Sequence, residues 1–210
     1  VTDTRHRFSA VLASSSPNKL EELQLALPEW DISALDLLDY PPETGALDYP
    51  PETGALDYPP ETGATYAANA AEKARFGRRH APADAWVIAE DSGLEADALG
   101  GRPGLESARW AEDGVGQMLA ELGDAADRRA RYVCAMVAID PRGAEVAVEG
   151  RLEGTIVTGP PRGDEGFGYD PIFVPAGETR TVAELGTGWK RRHSHRARAA
   201  KALAAALARR

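Results

Sequence analysis

Cysteine is nearly missing from this chain: Cys134 stands alone among 210 residues. A single thiol excludes an intrachain disulfide framework and any metal centre built on paired cysteines, and it leaves Cys134 the role of a small buried hydrophobe. Long apolar runs are missing too. No stretch approaches the roughly 18 uninterrupted apolar residues that a membrane helix requires, and the polar start VTDTRHRFSA does not read as a signal peptide. Basic charge is in deficit, 24 Lys and Arg against 33 Asp and Glu, giving a formal net charge of −9. A field of that sign repels nucleic acid and anionic membranes, so neither is expected as a partner. These absences point to a cytoplasmic protein with an ordinary core, built as one large domain or two small lobes.

What is present begins with a strand over Phe8 to Ala13 and a polar exit loop, Ser14-Ser15-Ser16-Pro17-Asn18. A helix over Lys19 to Leu27 follows, with Leu20, Leu23 and Leu27 on one face and Glu21 and Glu22 near its start. Strand, polar turn and helix can offer free backbone N–H groups and Lys19 to an anion, although the glycines of a P-loop are missing. Next, LDYPPETGA occurs three times in tandem, at 38–46, 47–55 and 56–64. A unit this short, with paired prolines, cannot build a solenoid and reads as an expanded loop. Each copy carries one glutamate (Glu43, Glu52, Glu61), of which at most one need be functional. Thr65 to Arg79 is a predicted helix with Asn69 and Lys73 four apart on one face, where surface solvation is the simplest role for both.

The central stretch is WVIAEDSGLEADALGGRPGLESAR, Trp86 to Arg109. Its apolar run is expected to form a buried strand that stops against Glu90 and Asp91, and in open α/β sheets ligands collect where strands end. A solvated acidic loop is the competing reading. The glycines at 100, 101 and 104 are expected to let backbone approach something closely. Further on, Gln117 to Leu122 reads as a short helix and Ala130 to Ile139 as a strand. Glu145 to Leu152 should pair with that strand across a turn at 140–143, and Gly154 to Thr158 should continue the sheet edge. PPRGDEGFGYDPIFVP, dense in glycine, proline and aromatics, suits a pocket-forming loop. Ser194 is the expected N-cap of a final alanine-rich helix in a basic tail.

Acids at a strand end, lysines beside loops and an aromatic glycine-rich loop together suit a phosphorylated ligand with a flat ring. A nucleotide has both. Mg2+ commonly binds through one or two carboxylates plus substrate phosphates, so Glu90, Asp91 and a repeat glutamate need not form a complete cage.

The stretches AEDSGLEADALGGRPGLESARWA, GFGYDPIFVP and KRRHSHR with its following helix, in that order, resemble the inosine/xanthosine triphosphate pyrophosphatase family. The resemblance runs from Val11 nearly to the end. It implies an α/β fold, an elongated mixed β-sheet with flanking helices forming two lobes around a central cleft, in one domain that holds the 38–64 repeat as a loop. It also implies a homodimer, Mg2+, and hydrolysis of aberrant purine nucleoside triphosphates (ITP, dITP, XTP) to monophosphate and pyrophosphate.

Residue by residue, the resemblance makes Asp91 the catalytic, metal-binding base and Glu90 its metal-supporting neighbour, with Glu61 as the further metal-linked acid because it keeps the family's short spacing to Asn69. Substrate contacts are implied for Ser14, Ser16, Lys19, Lys73 and Ser92. The base pocket would take Phe167, Gly168, Tyr169, Asp170, Lys190, His195 and Arg196. The first loop departs from the family's Thr-Gly-Asn-x-Gly-Lys and has a flavour of the related Maf-type pyrophosphatases, which act on other nucleotides. That family lacks the paired GFGYDP and SHR motifs seen here and is the alternative reading, together with a catalytically impaired nucleotide-binding regulator.

Overall fold

The computed structural model describes residues 8–14, 17–35 and 60–209, so Ser16, Glu43, Glu52 and most of the repeat lie outside the described residues. Six strands make one mixed sheet: β1 (Phe8–Leu12), β2 (Trp30–Ala34), β3 (Trp86–Ala96), β4 (Arg129–Ile139), β5 (Glu145–Ile156) and β6 (Phe173–Pro175). Their spatial order is β2-β1-β3-β4-β5-β6. The chain divides into two compact units, one holding the chain up to Asp91 with Ala135–Glu149 and Ala199 onward, the other holding Ser92–Cys134 and Gly150–Arg198.

In the first unit β1 runs parallel to both β2 and β3. Parallel neighbours require a crossover, and α1 (Pro17–Ala26) supplies it between β1 and β2, burying Leu23. Phe8, Trp30 and Trp86 meet where the three strands begin, with ring centroids 4.6 Å apart for Phe8 and Trp30 and 5.8 Å for the two tryptophans. Helix α2 (Tyr66–His80) starts at Thr65, whose side chain accepts from the Ala68 N–H, a cap that stabilises by about 1 kcal/mol. Its inner face is a stripe of small residues. Ala70 and Ala74 pack in a cluster with Val11, Ala13, Val87, Ala89, Val137 and Ile139. At Gly77 a Cβ would lie 2.9 Å from both Ala13 Cβ and Val87 Cγ1, so only glycine lets α2 settle this close to the sheet.

The second unit is built around Leu94, Ala96, Met118, Leu122, Tyr132, Leu152, Ile172 and Phe173. Helix α3 (Gly114–Leu122) is capped by Asp113, which accepts from the Gly116 N–H. Helix α4 (Val182–Leu185) begins with a reciprocal pair in which Thr181 and Glu184 each accept from the other's backbone N–H. Helix α5 (Thr187–His193) follows, and then α6 (His195–Leu207), where the Ala197 N–H donates to Ser194 Oγ at 3.1 Å. The expected Ser194 cap is thus in place. Cys134 is buried, as its solitary occurrence suggests.

Two expectations need correction, and one strand was not expected. The strand at Trp86 does not stop at the acids but runs through them to Ala96. Alternation resumes with Leu94 and Ala96, and lysine partners for the two carboxylates allow their burial within a strand. Gly154 continues the sheet as expected, within β5, which is unbroken to Ile156 and pairs there with β6. Strand β2 follows α1 with no long periodic signal, as its five residues offer only Trp30 and Ile32 to the core. Finally, a Cβ at Gly100 or Gly101 would meet nothing within 4 Å, so these glycines serve the left-handed turn (φ 66° and 89°) rather than a close approach.

Candidate active site

The first group of functional side chains belongs to the first unit. Strand β1 ends at Leu12, and the Ala13 N–H makes a last bond to the Ile88 carbonyl at 2.7 Å. Strand β3 continues, so Glu90 and Asp91 lie just past the carboxyl end of the parallel strand β1, the edge where α/β sheets bind ligands. Successive strand residues face opposite sides, and each acid meets a different helix. Glu90 lies 3.4 Å from Lys19 Nζ on α1. Asp91 meets α2: Asn69 Nδ2 donates to its Oδ2 at 2.9 Å and Lys73 Nζ to its Oδ1 at 3.0 Å. Lys73 also binds Glu61 Oε1 closely.

Asn69 and Lys73 therefore do not form a solvated face. They are 1% and 4% exposed, directed inward by the same small-residue packing that seats α2. Asn69 has both ends committed, since its Oδ1 accepts the Gly63 N–H at 2.8 Å. That bond anchors the end of the third repeat copy next to Glu61. Ser14 is half-buried at the exit of β1.

Burial raises the Asp91 carboxyl above its ordinary value of 3.8; Lys73 opposes the shift, the Glu61 charge adds to it, and the hydrogen bonds from Asn69 and Lys73 oppose it. Two carboxylates converging on one ammonium form a donor set that suits a hard cation, which takes oxygen ligands and often only one or two from protein. Among the described residues no group of three acidic, His or Cys side chains is placed to hold a metal together. The expected trio of Glu61, Glu90 and Asp91 thus separates into a pair around Lys73 and a single acid beside Lys19.

The second group belongs to the second unit and centres on Asp170, which is 2% exposed. Its Oδ2 accepts from the Phe167 N–H at 2.9 Å and from Lys190 Nζ at 2.6 Å, and its Oδ1 accepts from the Tyr132 hydroxyl at 3.2 Å. Those bonds fold the GFGYD turn back on itself and fasten it to α5. Gly168 takes a φ of 60° within the turn. Lys190 Nζ stands 3.6 Å over the Phe167 ring, and Phe167 is exposed. Tyr169 donates to the Ser107 carbonyl at 3.1 Å, and burial pushes its hydroxyl up to about 12.

A second tie between the loop and α5 was not legible in the sequence: Glu165 accepts from both the N–H and the hydroxyl of Thr187, each at 2.8 Å. His195 and Arg196 are buried at the start of α6, with Arg196 Nη2 3.4 Å from Ser92 Oγ. Ser92 follows Asp91 directly in β3. Tyr132 is the other residue that sequence reasoning passed over. It is one apolar-looking member of ARYVCAMVAI, and nothing in that strand marks it out.

A parallel β-α-β edge with acids and lysines at its carboxyl end, and an aromatic turn fastened by a buried Asp–Lys pair, define an α/β protein of the nucleotide-handling class. Residues 10–206 match the model of the Ham1 family, and the chain belongs to that family. It is 42% identical over 209 residues to a dITP/XTP pyrophosphatase of Mycobacteroides abscessus, covering 92% of this chain and 91% of that one. It is 37% identical to a dITP/XTP pyrophosphatase of Deinococcus deserti, covering 93% and 88%. The solved structure of the Staphylococcus aureus Ham1 protein superposes with a TM-score of 0.76 at 32% identity, covering 95% of this chain and 98% of that one. The expected α/β fold with a mixed sheet is therefore the fold observed.

Proposed function

We propose that this chain is a nucleoside triphosphate pyrophosphatase that hydrolyses noncanonical purine nucleoside triphosphates, ITP, dITP and XTP, to the monophosphate and pyrophosphate. The observation that carries this reading is the buried Asp91 carboxylate, held on one oxygen by Asn69 and on the other by Lys73 beside Glu61. A carboxylate oriented by two donors and raised by burial suits a general base better than a solvated acid does. In this reading Asp91 takes the proton of the water that attacks the α-phosphorus. The bond from that phosphorus to the bridging oxygen breaks, and pyrophosphate leaves.

Mg2+ is the proposed cofactor, with Glu61 and Asp91 as its protein ligands and Glu90, paired with Lys19, as the supporting acid. Bound there, the ion would neutralise phosphate charge and orient the substrate. Lys19, Lys73, Ser14 and Ser16 are assigned to the phosphates. Ser92, the Phe167–Asp170 turn, Lys190, His195 and Arg196 are assigned to the base. A 6-keto acceptor would meet the Arg196 donors, whereas the 6-amino donor of adenine would leave a buried mismatch costing about 1–3 kcal/mol.

The same proposal takes in a single domain of two lobes with the repeat as an expanded loop, a homodimer, a cytoplasmic location, and no role for nucleic acid or membranes. Among the described residues no helix is long and apolar enough to cross a membrane. Pyrophosphate release with Mg2+ from a panel of ITP, dITP, XTP, dATP, GTP, dTTP and UTP tests the assignment. Preference for the inosine and xanthosine nucleotides is expected. Preference for pyrimidines would transfer the chain to a Maf-like activity, and tight binding without turnover would make it a regulator. Light scattering of the purified chain tests the dimer.

A further inference from the structure

Tyr132 touches both sequence-distant parts of the proposed base site. It stands on β4, and its hydroxyl donates to Asp170 Oδ1 at 3.2 Å. The same ring lies parallel to the His195 imidazole, with centroids 4.7 Å apart and 8° between planes. A third contact, with the fully buried Phe173 ring at 4.7 Å and 56°, fixes the phenol on the sheet. The turn that carries Phe167 to Asp170 and the helix start that carries His195 and Arg196 are separate in sequence, yet both meet this one side chain. Asp170 then passes the constraint on, since its other oxygen holds the Phe167 N–H and Lys190.

We propose that Tyr132 is a positioning and specificity-determining residue, which sets the Asp170-held turn and the His195 ring in register with each other so that the donors of Lys190 and Arg196 meet a purine carrying a 6-keto group. This rests on the pyrophosphatase reading above. The physical argument is one of tolerance. Discrimination between a carbonyl and an amino group depends on donors held to within a few tenths of an ångström, and loops alone hold them less well than loops referenced to a strand. Two bonds to Asp170, from Phe167 and Lys190, move with the turn and α5, whereas the Tyr132 bond alone comes from the sheet. Parallel stacking also opposes tilting of the imidazole, which holds the plane of His195 beside Arg196.

The role divides between the hydroxyl and the ring, so two variants separate it. Tyr132→Phe keeps the stacking and removes the hold on Asp170, while Tyr132→Leu removes both. Each is measured as kcat and KM for dITP and for dATP with Mg2+, alongside calorimetric binding of inosine monophosphate and of inorganic pyrophosphate. For Tyr132→Phe the dITP-to-dATP ratio of kcat/KM should fall about tenfold, mainly through KM for dITP, as expected for a lost bond to a buried carboxylate. Inosine monophosphate should bind correspondingly more weakly and pyrophosphate unchanged. Tyr132→Leu should lower the ratio further; if it does not fold, the Phe variant alone decides. A Tyr132→Phe enzyme with a normal melting temperature and an unchanged ratio would refute the inference, as would an equal loss of kcat on both substrates, which marks a merely structural residue. If the wild-type chain neither turns over dITP nor binds inosine monophosphate, the pyrophosphatase reading itself has failed.

Discussion

Asn69 binds Asp91 and Gly63 at once, giving its amide N–H to the carboxylate at 2.9 Å and taking the glycine N–H on its oxygen at 2.8 Å. One side chain on α2 thereby orients the proposed base and fixes the segment that carries Glu61. Asn69→Leu should lose both bonds and lower kcat by about 10- to 100-fold, at a stability cost of about 1–3 kcal/mol. Gly63→Ala approaches the same contact from the other side, because a Cβ there would sit 2.5 Å from Asn69 Oδ1. Its kcat should fall in the same direction. Steady-state kinetics with thermal melts check both, and wild-type turnover in either variant would separate Asn69 from catalysis.

The Asp91 carboxyl is held above 3.8 chiefly by burial, against Lys73 and with the help of Glu61. Ionising it therefore works against the folded state as pH rises from 3.8 through the raised value, and the base is competent only above that value. In the metal-free protein, Lys73→Met should move the Asp91 titration to higher pH and Glu61→Gln to lower pH. A carboxyl carbon chemical-shift titration reads both displacements. Displacements of one sign, or none, would contradict the arrangement around Lys73.

Removing residues 38–55, two copies of LDYPPETGA, leaves the third copy and its glutamate joined to α2. Turnover in the shortened chain should stay within about twofold of the full chain, because loop length enters stability only logarithmically. Glu61→Gln in either background should abolish most activity, whereas Glu43→Gln with Glu52→Gln should not. Comparable losses from all three glutamates would show that the copies substitute for one another.

Lys190 and Asp170 are 5% and 3% exposed at their side chains. Lys190→Met would leave a buried carboxylate with two neutral donors, a change that costs about 3–5 kcal/mol in comparable pairs. The melting temperature should drop markedly, and the double variant Lys190→Met with Asp170→Asn should recover part of it. Lack of any recovery would mean that the pair is not the source of the loss.

Much of the fold was legible because local rules carried it. Alternating apolar residues predicted β4 and most of β5, turn chemistry placed the 140–143 connection, and Ser194 announced α6. The spacing of Asn69 and Lys73 announced a shared helix face, but not which way the face pointed. That direction comes from Ala70, Ala74 and Gly77, whose small size lets α2 press on the sheet and carries its polar neighbours inward. Tyr132 and Glu165 gave no signal, since their partners lie 38 and 22 residues away in the chain.

By itself, then, the amino-acid order determined β1, β4, β5 and the long helices, the 140–143 turn and the Ser194 cap, and the family motifs, each set by neighbours a few residues apart. The tertiary structure alone decided that β3 would run on through Glu90 and Asp91 instead of ending there. Two adjacent carboxylates within a strand are too costly to bury unaided, and the arrival of Lys19 from α1 and Lys73 from α2, on opposite faces, supplies opposing charge that permits it. It also decided that Glu61, in the third copy of the repeat, meets Lys73. Distance along the chain ranks the copies, but only packing brings one of them to the ammonium.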